Sequence, residues 1–208
     1  MPRVKTEQKR REILDAAAEV FARRGYHATN VSHIADHMSM GLGTFYRYFE
    51  SKLDVFHAVI EEVMGEVTMV IAHESATSSQ TLYEYSAQVE RIGRMLFAAF
   101  QKNRALARLL FVEAPGISAE LNEKLRETTR FFGVATEAYL ENGVKRGFLR
   151  PDLDREVTAL MINAIIFEGV RQLSDPNTDE ALLERWIRAI TRLMFEGVAA
   201  RSDLTRTK

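Results

Sequence analysis

Apolar residues recur at helical spacing along almost the whole chain, and no long stretch alternates with period two. The pattern predicts an all-α protein of about nine helices and no sheet. Ile13, Ala17, Val20 and Phe21 fall at i, i+4, i+7 and i+8, the inner stripe of a first helix over 6–24. Gly25 ends it, because glycine takes the left-handed conformation after a helix without steric penalty. Thr29 or Asn30 offers a side-chain oxygen to cap a second helix, whose inner residues are Val31, Ile34 and Ala35. A short third helix spans 42–48 and turns Phe45 and Phe49 inward. Ser51 is placed to cap a long fourth helix over 52–73, with Leu53, Phe56, Val59, Ile60, Val63 and Val67 as its apolar positions. Ala76-Thr77-Ser78-Ser79-Gln80 reads as a loop. Further helices are expected at 81–101, 104–113, 118–147, 154–174 and 178–200. Pro115-Gly116, the stretch from Gly147 to Pro151, and Asp175-Pro176-Asn177 separate them. The polar tail, 201–208, is expected to fray.

Residues 29–52 carry the most chemistry. Two short helices flank Ser39-Met40-Gly41, and the second groups Thr44, Tyr46, Arg47 and Tyr48. That arrangement reads as a helix-turn-helix whose second helix presents donors and flat rings to a DNA groove and its phosphates. Thr44 offers a hydroxyl and a methyl. Arg47 has the fork for a bidentate contact to guanine, which discriminates by about 1–3 kcal/mol. Tyr46 and Tyr48 bring hydroxyls within reach of phosphate oxygens. Lys52 stands in the first turn of the fourth helix, where free N–H groups favour an anion. Gly43 leaves the backbone bare for close approach. The competing reading is an ordinary surface helix of a bundle. The agreement of inward and outward positions, cap, and Ser51-Lys52 favours the helix-turn-helix. Residues 1–52 are therefore expected to form a DNA-binding domain and residues 53–208 a larger one.

The chain has 208 residues, 46% of them hydrophobic, enough for one good-sized core or a small domain fused to a larger one. The absence of cysteine excludes disulfides and cysteine-based zinc sites and fits a reducing cytoplasm. The polar, charged N-terminus lacks the apolar segment of a signal peptide. Apolar runs such as Ala164-Ile165-Ile166-Phe167 are far too short to cross a bilayer, so no membrane partner is expected. The net charge of −1 conceals an asymmetry: +3 over residues 1–52 and −4 over residues 53–208. Screening over roughly 8 Å makes the local surface decisive, so a basic head suffices for phosphate. Arg3, Lys5, Lys9, Arg10 and Arg11 form a basic arm, read either as a phosphate or minor-groove contact or as a solvated tail.

The pattern Ile13-Leu14-Asp15-Ala16-Ala17, Val20-Phe21, Arg24-Gly25-Tyr26, Thr29-Asn30-Val31, Ile34-Ala35, Gly43-Thr44-Phe45-Tyr46-Arg47-Tyr48-Phe49, Ser51-Lys52 closely resembles the N-terminal domain of TetR-family (tetracycline-repressor-like) transcriptional regulators. The resemblance implies a homodimer of all-α subunits. Helices one to three would bind double-stranded operator DNA, and the C-terminal domain would bind a small effector and hold the dimer. It places DNA contacts at Asn30, Ser32, His33, Leu42, Gly43, Thr44, Tyr46, Arg47, Tyr48 and Lys52. The sequence departs from the family in the turn, where Ser39 replaces the usual glycine and Gly41 the usual serine cap. Leu42 stands where a polar residue is common; it either touches a thymine methyl or packs.

The C-terminal half resembles the family mainly in layout. The resemblance assigns dimerisation to the helices at 154–174 and 178–200. The first carries Val157, Leu160, Met161, Ala164, Ile165 and Phe167; the second carries Leu182, Leu183, Trp186, Ile190, Leu193 and Met194. Helices apolar on more than one face must bury each face, in their own core or against a partner. The alternative is one large monomeric core. Candidate walls of an effector pocket are Met95, Phe97, Phe100, Phe111, Phe131, Phe132, Tyr139, Met161 and Phe167, residue types equally at home in plain core. Asn163 and Glu168 interrupt an apolar helix. The Glu168 carboxylate would meet either an effector or an arginine such as Arg171 or Arg192. His33 and His37 have the i, i+4 spacing of metal ligands, yet a third ligand is lacking, so no metal is assigned. There is no glycine-rich phosphate loop, nucleophile elbow or paired-carboxylate signature, so neither catalytic residues nor a cofactor are assigned. An enzyme on a helical bundle would need a recognisable titratable constellation, and an architectural DNA-binding protein would be basic throughout. What remains is a ligand-responsive DNA-binding regulator, which the resemblance implies to be a repressor released by a small hydrophobic or amphipathic effector acting through the fourth helix.

Overall fold

The computed structural model describes residues 2–102, 104–173 and 180–197, and side chains except those of 2–5, 102, 180, 196 and 197. Its elements are α1 (Pro2–Arg24), α2 (Val31–His37), α3 (Leu42–Phe45), α4 (Lys52–Ala72), α5 (Leu82–Lys102), α6 (Arg104–Arg108) followed by a π turn (Leu109–Glu113), α7 (Ala119–Lys145), α8 (Arg155–Leu173) and α9 (Glu180–Gly197). The expected all-helical architecture is observed, without a strand among the described residues. The Asp175-Pro176-Asn177 break and the 201–208 tail lie outside them.

Boundaries differ from expectation in three places. α1 starts at Pro2 rather than near residue 6, because proline at a first helical position gives up an N–H that has no partner there anyway. The basic arm is thus helical from Pro2. α3 ends at Phe45, and Arg47 and Tyr48 close tighter bonds to the carbonyls of Thr44 and Phe45, at 3.3 and 2.9 Å. The helix expected over 104–113 passes into π geometry at Leu109, where the Ala114 N–H donates to the Leu109 carbonyl at 2.7 Å.

Local chemistry explains the head. Gly25 adopts φ +77° and its N–H donates to the Phe21 carbonyl at 2.8 Å, stopping α1. Asn30, not Thr29, occupies the cap position of α2, and its N–H donates to Nδ1 of His33 at 3.1 Å. Thr29 is buried and donates its hydroxyl back to the Gly25 carbonyl at 2.7 Å. Ser51 Oγ accepts from the Asp54 N–H at 3.0 Å while the Asp54 carboxylate accepts from the Glu50 N–H at 2.8 Å, a reciprocal cap that starts α4.

The α1–α4 seam is aromatic. Phe21 meets Phe56 edge to face at 5.0 Å between centroids, and Tyr26 lies 4.6 Å from Phe56. Ile13, Phe21, Ile34, Phe45, Phe49 and Phe56 are fully buried, in a hydrophobic core that continues into the C-terminal helices. α7 and α8 pack together, with Leu160 of α8 lying over Gly133 of α7.

Ser39 has φ +51°, the left-handed conformation that the family's usual glycine would adopt freely. An L-residue there costs about 1–2 kcal/mol, partly offset by its lower entropy when unfolded. S39G should therefore raise unfolding stability by about 0.5–1 kcal/mol, read as a higher urea midpoint at unchanged slope.

Candidate nucleic-acid interface and effector cavity

α3 is held by its buried side and offers the other. Phe45 and Phe49 are buried with ring centroids 5.8 Å apart, so the short helix is pinned by aromatic packing rather than by its own bonds. Opposite them, Leu42 and Tyr46 are 46% and 54% exposed, and Gly43 and Arg47 are exposed as well. Thr44 and Tyr48 are half-buried, Tyr48 against the core. Asn30, Ser32, Leu42, Tyr46 and Lys52 come together on one shallow groove, completed by Val31, Glu50 and Ser51. Leu42 points into this groove. A Cβ on Gly43 would meet nothing within 4 Å, so the backbone there is open to close approach.

Lys52 is engaged within the protein. Its Nζ donates to the Tyr26 carbonyl at 2.9 Å and stands 4.2 Å from the Tyr26 ring centroid. An ammonium has three donors, which leaves capacity for an anion at the groove edge. His33 lies beside the Arg24 guanidinium at 3.4 Å as well as accepting from Asn30. His37 bridges Arg23 and Glu19 at 3.2 and 3.0 Å. Both imidazoles thus brace α2 against α1. In the basic arm, Lys9 pairs with Glu12 at 2.9 Å, Arg10 stacks 4.7 Å from the Phe49 ring, and Arg11 pairs with Asp15 and Glu62.

A second site lies in the larger helical region. An apolar cavity with an empty volume of about 920 Å³, its open mouth included, is walled by α4, α5, α7, α8 and α9. Of the pocket residues expected from the sequence, Phe97, Phe100, Phe132, Tyr139 and Phe167 line it. Phe111 instead lines a neighbouring cleft that shares Phe100, Phe132 and Phe167. Three expectations are corrected. Phe131 is 44% exposed, because adjacent residues on α7 point about 100° apart and Phe132 takes the inward direction. Met161 is 60% exposed for the same reason, with Ile162 inward. Met95 is half-buried outside the lining, displaced by Leu96 and Phe97. The residues that sequence reading missed are mostly aliphatic, among them Val67, Ile71, Val89, Ile162, Ile166 and Ile190. Their helical stripes were visible, but nothing in a stripe separates cavity wall from solid core.

The polar groups of the cavity are few and mostly occupied. Asn163 is 5% exposed and its Oδ1 accepts from the Thr136 hydroxyl at 3.1 Å. The Tyr85 hydroxyl donates to the Tyr139 carbonyl at 3.1 Å, and the Tyr139 hydroxyl donates to the Glu74 carbonyl at 2.7 Å. Burial pushes the Tyr85 phenol above its usual pKa, so it stays a neutral donor. Glu168 turns out of the cavity. It bonds Arg171 and Gln172 on its own helix, and the Arg171 guanidinium lowers its carboxyl to about 2.

The outer side of α8 is apolar and open. Val157, Leu160 and Met161 are exposed there while Ala159, Ile162, Val170 and Leu173 are buried on the inner side. Phe131 and Val134 of α7 and Leu193 of α9 are also exposed.

Comparison with known proteins agrees with this layout. The fatty acid metabolism regulator protein of Bacillus subtilis is 27% identical over 192 residues, covering 90% of this chain and 94% of that protein. The transcriptional repressor KstR2 of Rhodococcus jostii is 29% identical over 78% of each chain. The crystal structure of the regulator FadR from Bacillus subtilis in complex with stearoyl-CoA superposes with a TM-score of 0.72 at 26% identity, over 89% of this chain and 97% of that one. Residues 13–59, which hold α2, α3 and the α1–α4 seam, match the family described as bacterial regulatory proteins, tetR family, and the chain belongs to that family of transcriptional regulators.

Proposed function

We propose that the protein is a ligand-responsive transcriptional repressor, acting in the cytoplasm as a homodimer and released from its operator by a long-chain acyl effector such as an acyl-CoA thioester. The observation that carries this reading is that α4 serves both sites. Its first turn bears Lys52 at the groove of α2 and α3, and its later turns bear Val67 and Ile71 in the wall of the apolar cavity. The cavity lies between α4, α5, α7, α8 and α9. Its mostly aliphatic and aromatic wall suits a hydrocarbon chain, and the stearoyl-CoA held by the Bacillus subtilis regulator supports the acyl class.

In the DNA-bound arrangement α3 of each subunit enters a major groove, Arg47 reads a base edge, and Tyr46, Tyr48 and Lys52 hold phosphates. Two such heads meet successive grooves when about 34–36 Å apart. The dimer that sets this spacing uses the apolar outer side of α8 with α9, and Phe131 and Val134 of α7 extend the same surface. An acyl chain in the cavity favours one tilt of α4, changes the separation of the heads and releases DNA. It does so only by its differential affinity for the two arrangements.

Operator DNA selected from a random pool, with anisotropy titration, tests the reading. Palmitoyl-CoA should weaken operator binding by about 5–150-fold, the usual range of allosteric coupling. I162W, which fills the cavity, should abolish that response and leave operator affinity intact. An operator complex indifferent to acyl-CoA of any chain length would refute the effector class.

Y46A should weaken operator binding about tenfold across all sequences, as loss of a phosphate contact does, while R47A should relax preference at one base position by about 1–3 kcal/mol. A uniform loss for R47A would reduce Arg47 to a phosphate contact.

A double substitution, L160E with M161E, should give a monomeric mass by light scattering at micromolar concentration and lose operator binding. A dimer that survives it would move the interface elsewhere.

A further inference from the structure

The α1–α2 connection is tied to the larger helical region by a contact that does not run through α4. The backbone N–H of Tyr26 donates to Glu113 Oε2 at 2.7 Å across 87 residues of sequence. Glu113 is the last residue of the π turn Leu109–Glu113. The carboxylate lies flat against the backbone: a Cβ on Gly25 would come within 2.9 Å of Oε2 and 3.1 Å of Oε1. Glycine at position 25 is favoured by its φ of +77°, and a side chain there would press on the movable end of Glu113.

Each end of this contact leads to one of the two sites. On the head side, the Tyr26 carbonyl accepts from Lys52 Nζ at 2.9 Å, and the Tyr26 ring lies against Phe56 and under that same ammonium. One residue thus holds Glu113 on its N–H and Lys52 on its carbonyl and ring. On the cavity side, Phe111 sits in the same π turn as Glu113. Its ring lies 5.3 Å from Phe100 and 5.6 Å from Phe167, two residues of the cavity wall. Close-packed rings cannot yield independently, so a chain that displaces Phe100 or Phe167 displaces Phe111 and the turn that carries it. The π turn is the segment best able to respond, since i→i+5 bonding is an irregular geometry that a helix readily exchanges for another and that recurs at functional sites.

We infer that Glu113 is a positioning residue that transmits the state of the cavity to the DNA-reading head, through Tyr26 to Lys52, in parallel with the tilt of α4. The inference rests on the effector reading above and adds to it a second connection at a named bond. Movement of the π turn withdraws the acceptor from the Tyr26 N–H. The α1–α2 connection then loses its tether, and with it the fixed position of Lys52 at the groove edge. By linkage, the same bond makes operator DNA oppose effector binding.

Three variants separate contact from charge and from folding. E113A removes the acceptor. E113D keeps the charge but draws the carboxylate back by one methylene. E113Q loses the charge and keeps an oxygen that can accept from the same N–H. For each, operator affinity is measured by anisotropy with and without saturating palmitoyl-CoA, and palmitoyl-CoA affinity by calorimetry on the free protein. The expected result is that E113A and E113D bind palmitoyl-CoA within about twofold of wild type, yet their ratio of operator affinities falls by at least about fivefold, the lower end of ordinary coupling. E113Q keeps the wild-type ratio. A general loss of packing would not be rescued by glutamine and would not spare effector binding. An unchanged ratio in E113A, or equal behaviour of E113A and E113Q, overturns the role of Glu113 and leaves the effector reading standing. Wild-type protein that binds palmitoyl-CoA without releasing DNA, or does not bind it, overturns both.

Discussion

The edge-to-face contact of Phe21 with Phe56 is the joint on which the molecule turns. It fixes α1 onto the first turns of α4, with Tyr26 completing the cluster from the α1–α2 connection. α1 in turn supports α2 through Ile34 and the His33 and His37 braces, and α2 supports α3. Without that joint a third helix of four residues would have nothing to hold it, since helices this short do not persist alone. With it, any tilt of α4 is a tilt of the whole head. The same helix reaches the cavity with Val67 and Ile71. A rigid helix shared by two sites is the simplest physical means by which occupancy of one changes the geometry of the other.

The cavity is kept apolar by disciplined placement of its polar groups. Gln88, buried in α5, is saturated: the two N–H groups of its amide are shared among Glu74, Ser75 and Ser78, and its oxygen accepts from the Ser79 hydroxyl at 2.6 Å. Glu74 is held below the usual carboxylate range by the paired Arg91 guanidinium, at 2.6 and 2.9 Å. Together with Tyr139 on the Glu74 carbonyl, these bonds pin the α4–α5 connection across one end of the helical region. A buried polar group costs free energy unless it has a partner, so such a network specifies a single arrangement of the connection rather than adding much stability. What is left facing the cavity is mostly hydrocarbon, with the Thr136–Asn163 pair, Glu90 and Thr191 among its few polar groups.

The departures from the family's turn show how local rules yield to tertiary ones. Ser39 accepts a left-handed backbone although it is not glycine, because Met40 must bond back to the Ala35 carbonyl at 2.9 Å and carry the chain directly into α3. Gly41 stands at the cap of α3 without a side chain to cap it. The head tolerates both because Phe45 and Phe49 are locked into the core, and burial of two such rings outweighs a cap and a strained φ, each about 1–2 kcal/mol.

Much of this was written in the sequence by itself. Helical period, the stop at Gly25, the cap at Ser51, and the inward direction of Phe45 and Phe49 are local properties, set by side-chain spacing and by backbone groups within a few residues of one another. The order of helices followed from them, and so did the resemblance to the family. Tertiary structure decided what depends on which neighbours meet. Phe131 against Phe132, and Met161 against Ile162, are indistinguishable as residue types. Only the rotation of α7 and α8 in the assembled bundle sends one of each pair into the cavity and the other to the surface. Arg171, three residues along the same helix, was already a candidate partner for Glu168. The partners of Lys52 and Glu113 were invisible, because a long charged side chain takes whatever acceptor or donor the fold brings within reach, and the one nearest in space stands 87 residues away in the case of Tyr26 and Glu113.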